Sequence, residues 1–402
     1  MRVLFAIVFM NLSGAILGQA TLVSNYKLDN CSVQDYEGNN DGFILGTPCA
    51  CGVEADGFDL NGSQFIDFGA GLSPIFSSDF SLSFYVQFDP MDSDPMDVFS
   101  VANACSRDSV FLMRYLPDFN LLSIIFSDSP ANFFSIDAEI ENPLCWNYVV
   151  FTLSGSTGQL YVNGDLVAEA NSISPLSLMN GANLTLGNSP CVMATVPDSR
   201  FRGRIDEIQV YQGALTQREV VRADLKPDQI ITPDTTIFIG ESLALRTGQT
   251  CSNDFEWSPS AGLDDPFLLE PIATPEVGTH TYTLEVEYSG CRVTDDVTIN
   301  VVDRQMVSCD DLMLPNTFTP NGDGVNDNFG ISNIYLVESL NTFEVFDKWG
   351  GRIFGTVDIN STWNGLHNNT GDPAANSSYV YKVNYVCNGE EYTKSGVINV
   401  LR

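Results

Sequence analysis

Histidine is almost missing from this 402-residue chain, which holds two, His280 and His367. Neither Gly-x-Ser-x-Gly nor His-Glu-x-x-His occurs, and no serine or cysteine nucleophile can be paired with either imidazole. Both histidines read as structural or solvated. Positive charge is scarce too: 18 lysines and arginines face 51 aspartates and glutamates, a formal net charge of −33. Such a surface repels phosphate backbones and no basic stripe relieves it, which argues against nucleic acid as a partner. Paired Cys-x-x-Cys knuckles are absent, so zinc is set aside as well. Long apolar runs are lacking beyond Val3–Met10, which follows Arg2 and leads to Gly18, Gln19 and Ala20. That pattern reads as a secretory signal peptide over 1–20, since Asn11 and Ser13 interrupt a core too short to span a membrane. The remainder is expected to be soluble and not an integral membrane protein.

What is present is apolar and aromatic. A hydrophobic share of 44%, with 26 Phe and 14 Tyr, supplies packed cores and argues against disorder. The acids are scattered rather than clustered, which favours solubility over cation binding as their role. Ten cysteines behind a secretion signal imply disulfides. They partition as Cys31, Cys49, Cys51, Cys105, Cys145 and Cys191, then Cys251 and Cys291, then Cys309 and Cys387. Even counts suggest that each region closes its own bridges. Cys251 with Cys291 and Cys309 with Cys387 are the expected pairs, while the first six leave fifteen pairings open.

Strand signals recur throughout. Phe80, Leu82, Phe84, Val86 and Phe88 alternate with Ser81, Ser83, Tyr85 and Gln87, a period-two strand with one buried face. Leu160–Ala168 sets an Asn-Gly-Asp turn between two β-prone runs, a hairpin signal, and Trp146–Leu153 precedes it as a strand. Lys226-Pro227 and Thr232-Pro233 mark a linker. Beyond it Tyr282, Leu284, Val286 and Tyr288 alternate, and Val297, Ile299 and Val301 close a second set. Tyr379, Tyr381, Val383 and Tyr385 open a third. Many short strands must bury their apolar faces on another layer. The expected fold is all-β, with three β-sandwich domains in series over 21–222, 223–303 and 304–402.

Three resemblances sharpen this. Leu314-Pro-Asn-Thr-Phe-Thr-Pro-Asn-Gly-Asp-Gly-Val-Asn-Asp-Asn-Phe329, then Phe343–Phe354 with its Lys-Trp-Gly-Gly-Arg, then Thr362-Trp-Asn-Gly365, together resemble the gliding-motility-associated, type B sorting domain of type IX secretion. Phe58–Gly69, Asp79–Phe84, the Leu160–Ala168 hairpin and Phe201–Leu215 resemble, in that order, a laminin-G-like, concanavalin-A-like jelly roll. Phe255–Pro266 and Ala273–Tyr282 resemble immunoglobulin-like or polycystic-kidney-disease-like repeats, whose usual role is a spacer. These likenesses imply a protein exported through the periplasm of a Gram-negative bacterium and then secreted or held at the outer cell surface. Residues 314–402 would engage the type IX secretion machinery, and the jelly roll would bind a glycan or a surface protein.

Candidate chemistry is limited. Retaining glycosidases need two facing carboxyl groups; Glu54 with Asp56, Glu139 with Glu141, and Asp206 with Glu207 are the nearest pairs, and none has the concanavalin-type spacing. Strict alternation places Asp206 on the face of Ile208 and Val210, which points to a buried acid bonded to backbone or to a bulge. Asn321, Asp323 and Asp327 resemble the start of a calcium loop. Thr319 at the first ligand position and the lack of a closing Glu favour an Asx turn instead. No other cofactor is implied. Tyr115, Phe119, Phe133 and Phe134 are candidate sugar platforms, with burial the favoured fate of each. The sequons at Asn61 and Asn183 are incidental in a bacterium. The resulting expectation is a non-enzymatic binding or adhesion protein; the alternatives are a polysaccharide hydrolase on the jelly roll and a purely structural surface component.

Overall fold

The computed structural model describes residues 20–401 except 47, 90–92, 193–198, 304–306 and 323–324. Residues 1–19 of the expected signal peptide lie outside the described residues. Strand makes up 47% of the chain and helix 8%, so the fold is all-β. The chain divides into two compact units, one of residues 1–143 and 147–216, the other of Leu144–Trp146 and Gln217–Arg402.

The first unit is a jelly roll of two eight-stranded sheets. One runs Asp165–Asn171, Thr157–Val162, Asn147–Ser154, Phe80–Phe88, Arg202–Gln212, Asp56–Asn61 and Cys49–Cys51, with Thr21–Tyr26 also paired to Arg202–Gln212. The other runs Asn132–Glu139, Leu121–Ser129, Val110–Leu116, Met96–Val101, Leu184–Leu186, Ile66–Asp67 and Phe43–Ile44, with Ser199–Arg200 parallel to Met96–Val101. Between them lies an aromatic core. Phe80 and Phe151 of the first sheet meet Phe111 and Phe126 of the second at ring separations of 5.5–5.9 Å. Each fully buried Phe contributes roughly 2–3 kcal/mol by transfer from water. The hairpin turns at Asn163 and Gly164, both at positive φ, as a two-residue turn that matches strand twist requires.

Phe80–Phe88 departs from the one-sided expectation, because all nine of its residues are buried. The returning chain covers part of its polar face. Ser81 Oγ donates to the Gly213 carbonyl at 2.9 Å and accepts from the Leu215 N–H at 2.9 Å. On the same face Tyr85 stacks on Tyr148. Small hydroxyls with backbone partners are therefore buried at little cost.

The second unit has two separate cores. A four-stranded sheet, Thr235–Phe238, Cys291–Val302, Gly278–Tyr288 and Asp254–Ser258, buries Trp257, Tyr282, Leu284, Val297 and Ile299, with the small Leu243–Ala244/Ile272–Ala273 ladder beside it. A five-stranded sheet, Thr317–Phe318, Glu390–Val400, Ser378–Cys387, Ser339–Phe346 and Arg352–Thr356, buries Tyr379, Tyr381 and Val383. Its opposing layer consists largely of non-strand segments carrying Phe329, Leu336 and Trp363; Phe329 and Trp363 exchange backbone hydrogen bonds at 2.8 Å.

The cysteines bond as Cys31–Cys49, Cys105–Cys191, Cys145–Cys291 and Cys309–Cys387, and no described cysteine is free. The expected Cys251–Cys291 bridge is thus replaced. Cys291 takes Cys145, 146 residues away in sequence, and Leu144–Trp146 accordingly belongs to the second compact unit. Counting cysteines by region failed because a loop can leave its own sheet. Non-reducing peptide mapping is expected to recover a Cys145–Cys291 cross-linked peptide; a Cys251–Cys291 peptide would contradict the fold.

Candidate functional site

The pleat decides which side chains of the second jelly-roll sheet turn away from the core. Along Met96–Val101, Leu184–Leu186 and Ile66–Asp67, the residues Phe99, Val101, Leu184, Leu186 and Ile66 point into the core. Their alternates, Ser100, Thr185 and Asp67, are directly paired across the three strands. They form one outward row of two hydroxyls and a carboxylate. Asn103, Asn183, Asn188, Ser189 and Pro190 complete a cleft of about 400 Å³ around it.

The cleft is rigidly wired. Ser100 and Thr185 lie 2.9 Å apart and both donate to the Asn188 carbonyl at 2.8 Å. Asp67 Oδ1 accepts from the Gly69 N–H at 2.8 Å and from Asn183 Nδ2 at 2.9 Å. Ser189 Oγ donates to the fully buried Asp97, which is also paired with Arg114 at 2.9 Å. At one end the Arg200 guanidinium lies over the Phe65 ring and donates to Asn188 Oδ1 at 3.3 Å. The Cys105–Cys191 disulfide joins the two loops that wall the cleft, a closure worth roughly 4–5 kcal/mol for a loop of 86 residues. Hydroxyls, amides and a carboxylate supply both donors and acceptors, which complement a polyhydroxylated ligand.

Sequence reasoning missed this row, although it noticed Asn183-Leu184-Thr185 as a sequon; both polar members of that triplet line the cleft. The row is assembled by register from strands far apart in the chain. The aromatic candidates lie outside the cleft lining. Tyr115 and Phe134 are buried core residues, whereas Phe119 and Phe133 are exposed, against their expected burial.

Two of the three acid pairs do converge, at a different place. Asp206 is fully buried and accepts from the Val53 N–H at 2.7 Å, the Glu207 N–H at 2.8 Å and the Glu54 N–H at 3.4 Å. A bulge between Asp206 and Gln209 breaks the strand's alternation, with Glu207 at φ 48°. Gly52 makes room, since a Cβ there would sit 2.3 Å from Asp206 Oδ2. Burial pushes Asp206 up to about 8 against the pull of its backbone donors. Burial likewise raises Glu207 to about 7, opposed by Lys27 and reinforced by Glu54 and Asp29. Glu207 Oε1 is buried with no hydrogen-bond partner. Asp206 and Glu207 are sealed from solvent at the bulge, and Glu54 contributes its backbone N–H there while its exposed carboxylate pairs with Lys27 at 3.5 Å. Glu139 ends the Asn132–Glu139 strand and is exposed.

Among the described residues no group of acids, histidines or cysteines is placed to hold a metal ion. Asp327 Oδ1 accepts from the Asn321 and Gly322 N–H groups at 2.9 and 2.7 Å, the geometry of an Asx-stabilised turn. Asp323 lies outside the described residues. His280 Nε2 is bonded to the Glu276 carbonyl at 2.8 Å on an exposed strand, and His367 opens a short 3-10 turn.

Comparison with known proteins now fits the geometry. Residues 60–221 match the Concanavalin A-like lectin/glucanases superfamily, and residues 312–400 match the CHU_C Type IX secretion signal domain. The chain carries a concanavalin A-like domain and a type IX secretion signal domain. Among curated proteins, none matches. Among solved structures, domain 4 of AbnA, a GH43 extracellular arabinanase from Geobacillus stearothermophilus, in complex with arabinotriose, is 23% identical, covering 51% of this chain and 98% of its own, with a TM-score of 0.41. The Ruminococcus gnavus IT-sialidase CBM40 bound to α2,3-sialyllactose is 16% identical over 41% of this chain and 90% of its own, TM-score 0.33. The binding domain of botulinum neurotoxin serotype C1 is 9% identical over 94% of both chains, TM-score 0.42. The disulfides and the secretion signal domain mark the concanavalin-like chain as exported, and among the described residues no helix is long and apolar enough to cross a membrane.

The buried acids predict a pH signature. A carboxyl whose folded pKa lies above its unfolded one stabilises below the ordinary carboxylate range, and that stability is lost as pH rises through about 7. Thermal melting from pH 5 to pH 8 is expected to show a smaller loss in Glu207→Gln than in the native protein. Above pH 8, where Asp206 is ionised, Asp206→Asn replaces one of two accepting oxygens with a donor facing N–H groups and is expected to cost about 2–4 kcal/mol by chemical denaturation.

Proposed function

We propose that this chain is an exported binding protein whose jelly roll holds a glycan in the Ser100–Thr185–Asp67 cleft. The observation that carries the reading is that outward row, with Asn103, Asn183 and Asn188 around it and walls tied by Cys105–Cys191. Among the described residues Asp67 is the sole carboxylate lining the cleft, whereas glycosidic hydrolysis needs two across the bond; this favours binding over cleavage. Residues 223–303 serve as a spacer and 304–402 direct passage through the periplasm and outer membrane of a Gram-negative bacterium, leaving the jelly roll outside the cell. The Asn321–Asp327 turn enters this reading as a brace of the secretion signal domain.

A glycan array is the decisive experiment, run on the full chain with and without calcium. A defined set of sugars should bind, and Asn103→Ala and Asn183→Ala should each weaken the best one by roughly tenfold, the worth of one hydrogen bond of about 1–1.5 kcal/mol, at unchanged melting temperature. A flat array would favour a protein partner or a structural role. Hydrolysis products would overturn the non-enzymatic reading. Deleting 304–402 should leave the folded remainder in the periplasm; normal export of that form would remove the sorting role.

A further inference from the structure

Tryptophan is seldom left in water, yet Trp349 is 84% exposed. It sits in the turn between Ser339–Phe346 and Arg352–Thr356 of the five-stranded sheet. That turn is built rather than slack. Asp347 Oδ1 accepts from the Trp349 and Gly351 N–H groups at 2.8 Å each, and the Asp347 and Gly351 backbones bond at 2.9 Å. Gly350 takes φ 82°, a value that side chains resist. The local structure therefore fixes an apolar ring outward.

The surface beneath it is continuous with the ring. The sheet buries Phe343, Val345, Tyr379, Tyr381 and Ile398 on its inner side. On the outer side Phe346 pairs with Val380 and Val380 with Val397, a cross-strand apolar row at the base of the turn. Val380 is 48% and Val397 53% exposed. Charge around it runs against the rest of the chain. Lys348, whose ammonium lies 5.3 Å from the Trp349 ring, and Lys382 stand here beside Asp347 and the Arg352–Glu344 ion pair of 3.0 Å, a net positive local balance in a protein of net charge −33. An exposed aromatic anchor on an apolar row with a cationic rim is the make-up of a protein-binding hot spot.

We propose that the Trp349 turn and the Phe346–Val380–Val397 row are the surface by which the secretion signal domain docks on its export receptor. The receptor's complementary site is an apolar pocket for the indole, rimmed by carboxylates. The proposal rests on the sorting role of residues 304–402 and adds which face is read. A sorting signal acts only by being recognised. The inner face of the sheet is occupied by the core, whereas this outer face is exposed and carries the aromatic anchor.

The test compares export of the full-length native chain, Trp349→Ala, Val380→Lys and the 304–402 deletion in a host with a type IX system, by the ratio of extracellular to periplasmic protein. Trp349→Ala is expected to lower that ratio at least tenfold at unchanged melting temperature, and Val380→Lys to lower it similarly. Native-like export of Trp349→Ala overturns the proposal, including the case where only self-association in solution changes, which would make the surface a contact between copies. If Trp349→Ala is degraded, Val380→Lys decides on the same criterion. Retention of the deletion beside export of both variants rejects this surface while sparing the sorting role; export of the deletion rejects the sorting role itself.

Discussion

The apposition of two phenylalanine-rich sheet faces governs this molecule. Phe80 and Phe151 from one sheet and Phe111 and Phe126 from the other share a core too tightly interlocked to tolerate a change of register. A slip of one residue on any strand would exchange its buried and exposed sets. Fixing Phe99, Val101, Leu184 and Ile66 inward therefore fixes Ser100, Thr185 and Asp67 outward, side by side. The cleft is a by-product of core packing, and its precision comes from there. The same logic operates in the secretion signal domain, where inward Tyr379 and Tyr381 oblige Val380 to face solvent.

Legibility in the sequence followed the distance over which each feature is determined. The Leu160–Ala168 hairpin is local and could be read from Asn163 and Gly164 alone. Asp206 was suspect because it broke an alternation, and the bulge with its backbone donors explains why. Non-local features were opaque. Cys291 was matched with its neighbour Cys251 because both flank one small core, but its partner comes from a loop 146 residues earlier. The cleft joins strands containing positions 67, 100 and 185, none of which stands out by type or spacing. Phe80–Phe88 looked one-sided because Ser81 and Ser83 are polar, yet both are buried, Ser81 with backbone partners and Ser83 with its hydroxyl unbonded, so polarity does not report coverage.

Electrostatics divides the chain's many acids into two populations. Most lie on the surface, where solvent screens them and they maintain solubility. A few are structural. Asp97 holds Ser189 and Arg114 beneath the cleft, Asp35 collects the Ser24 hydroxyl and four backbone N–H groups near the first strand, and Asp206 organises a bulge. These positions use carboxylates as multidentate acceptors, a task that Asn performs poorly because half its polar end is a donor.

The Cys105–Cys191 clamp carries a temporal meaning. Its two loops adjoin strands of the second sheet, but the covalent tie between them forms only under oxidation, and so after the chain has left the reducing cytosol. Until then the walls around Ser100 and Thr185 are joined by hydrogen bonds alone. The cleft thus reaches its covalently clamped form only outside a reducing compartment, so its full rigidity is a property of the exported chain.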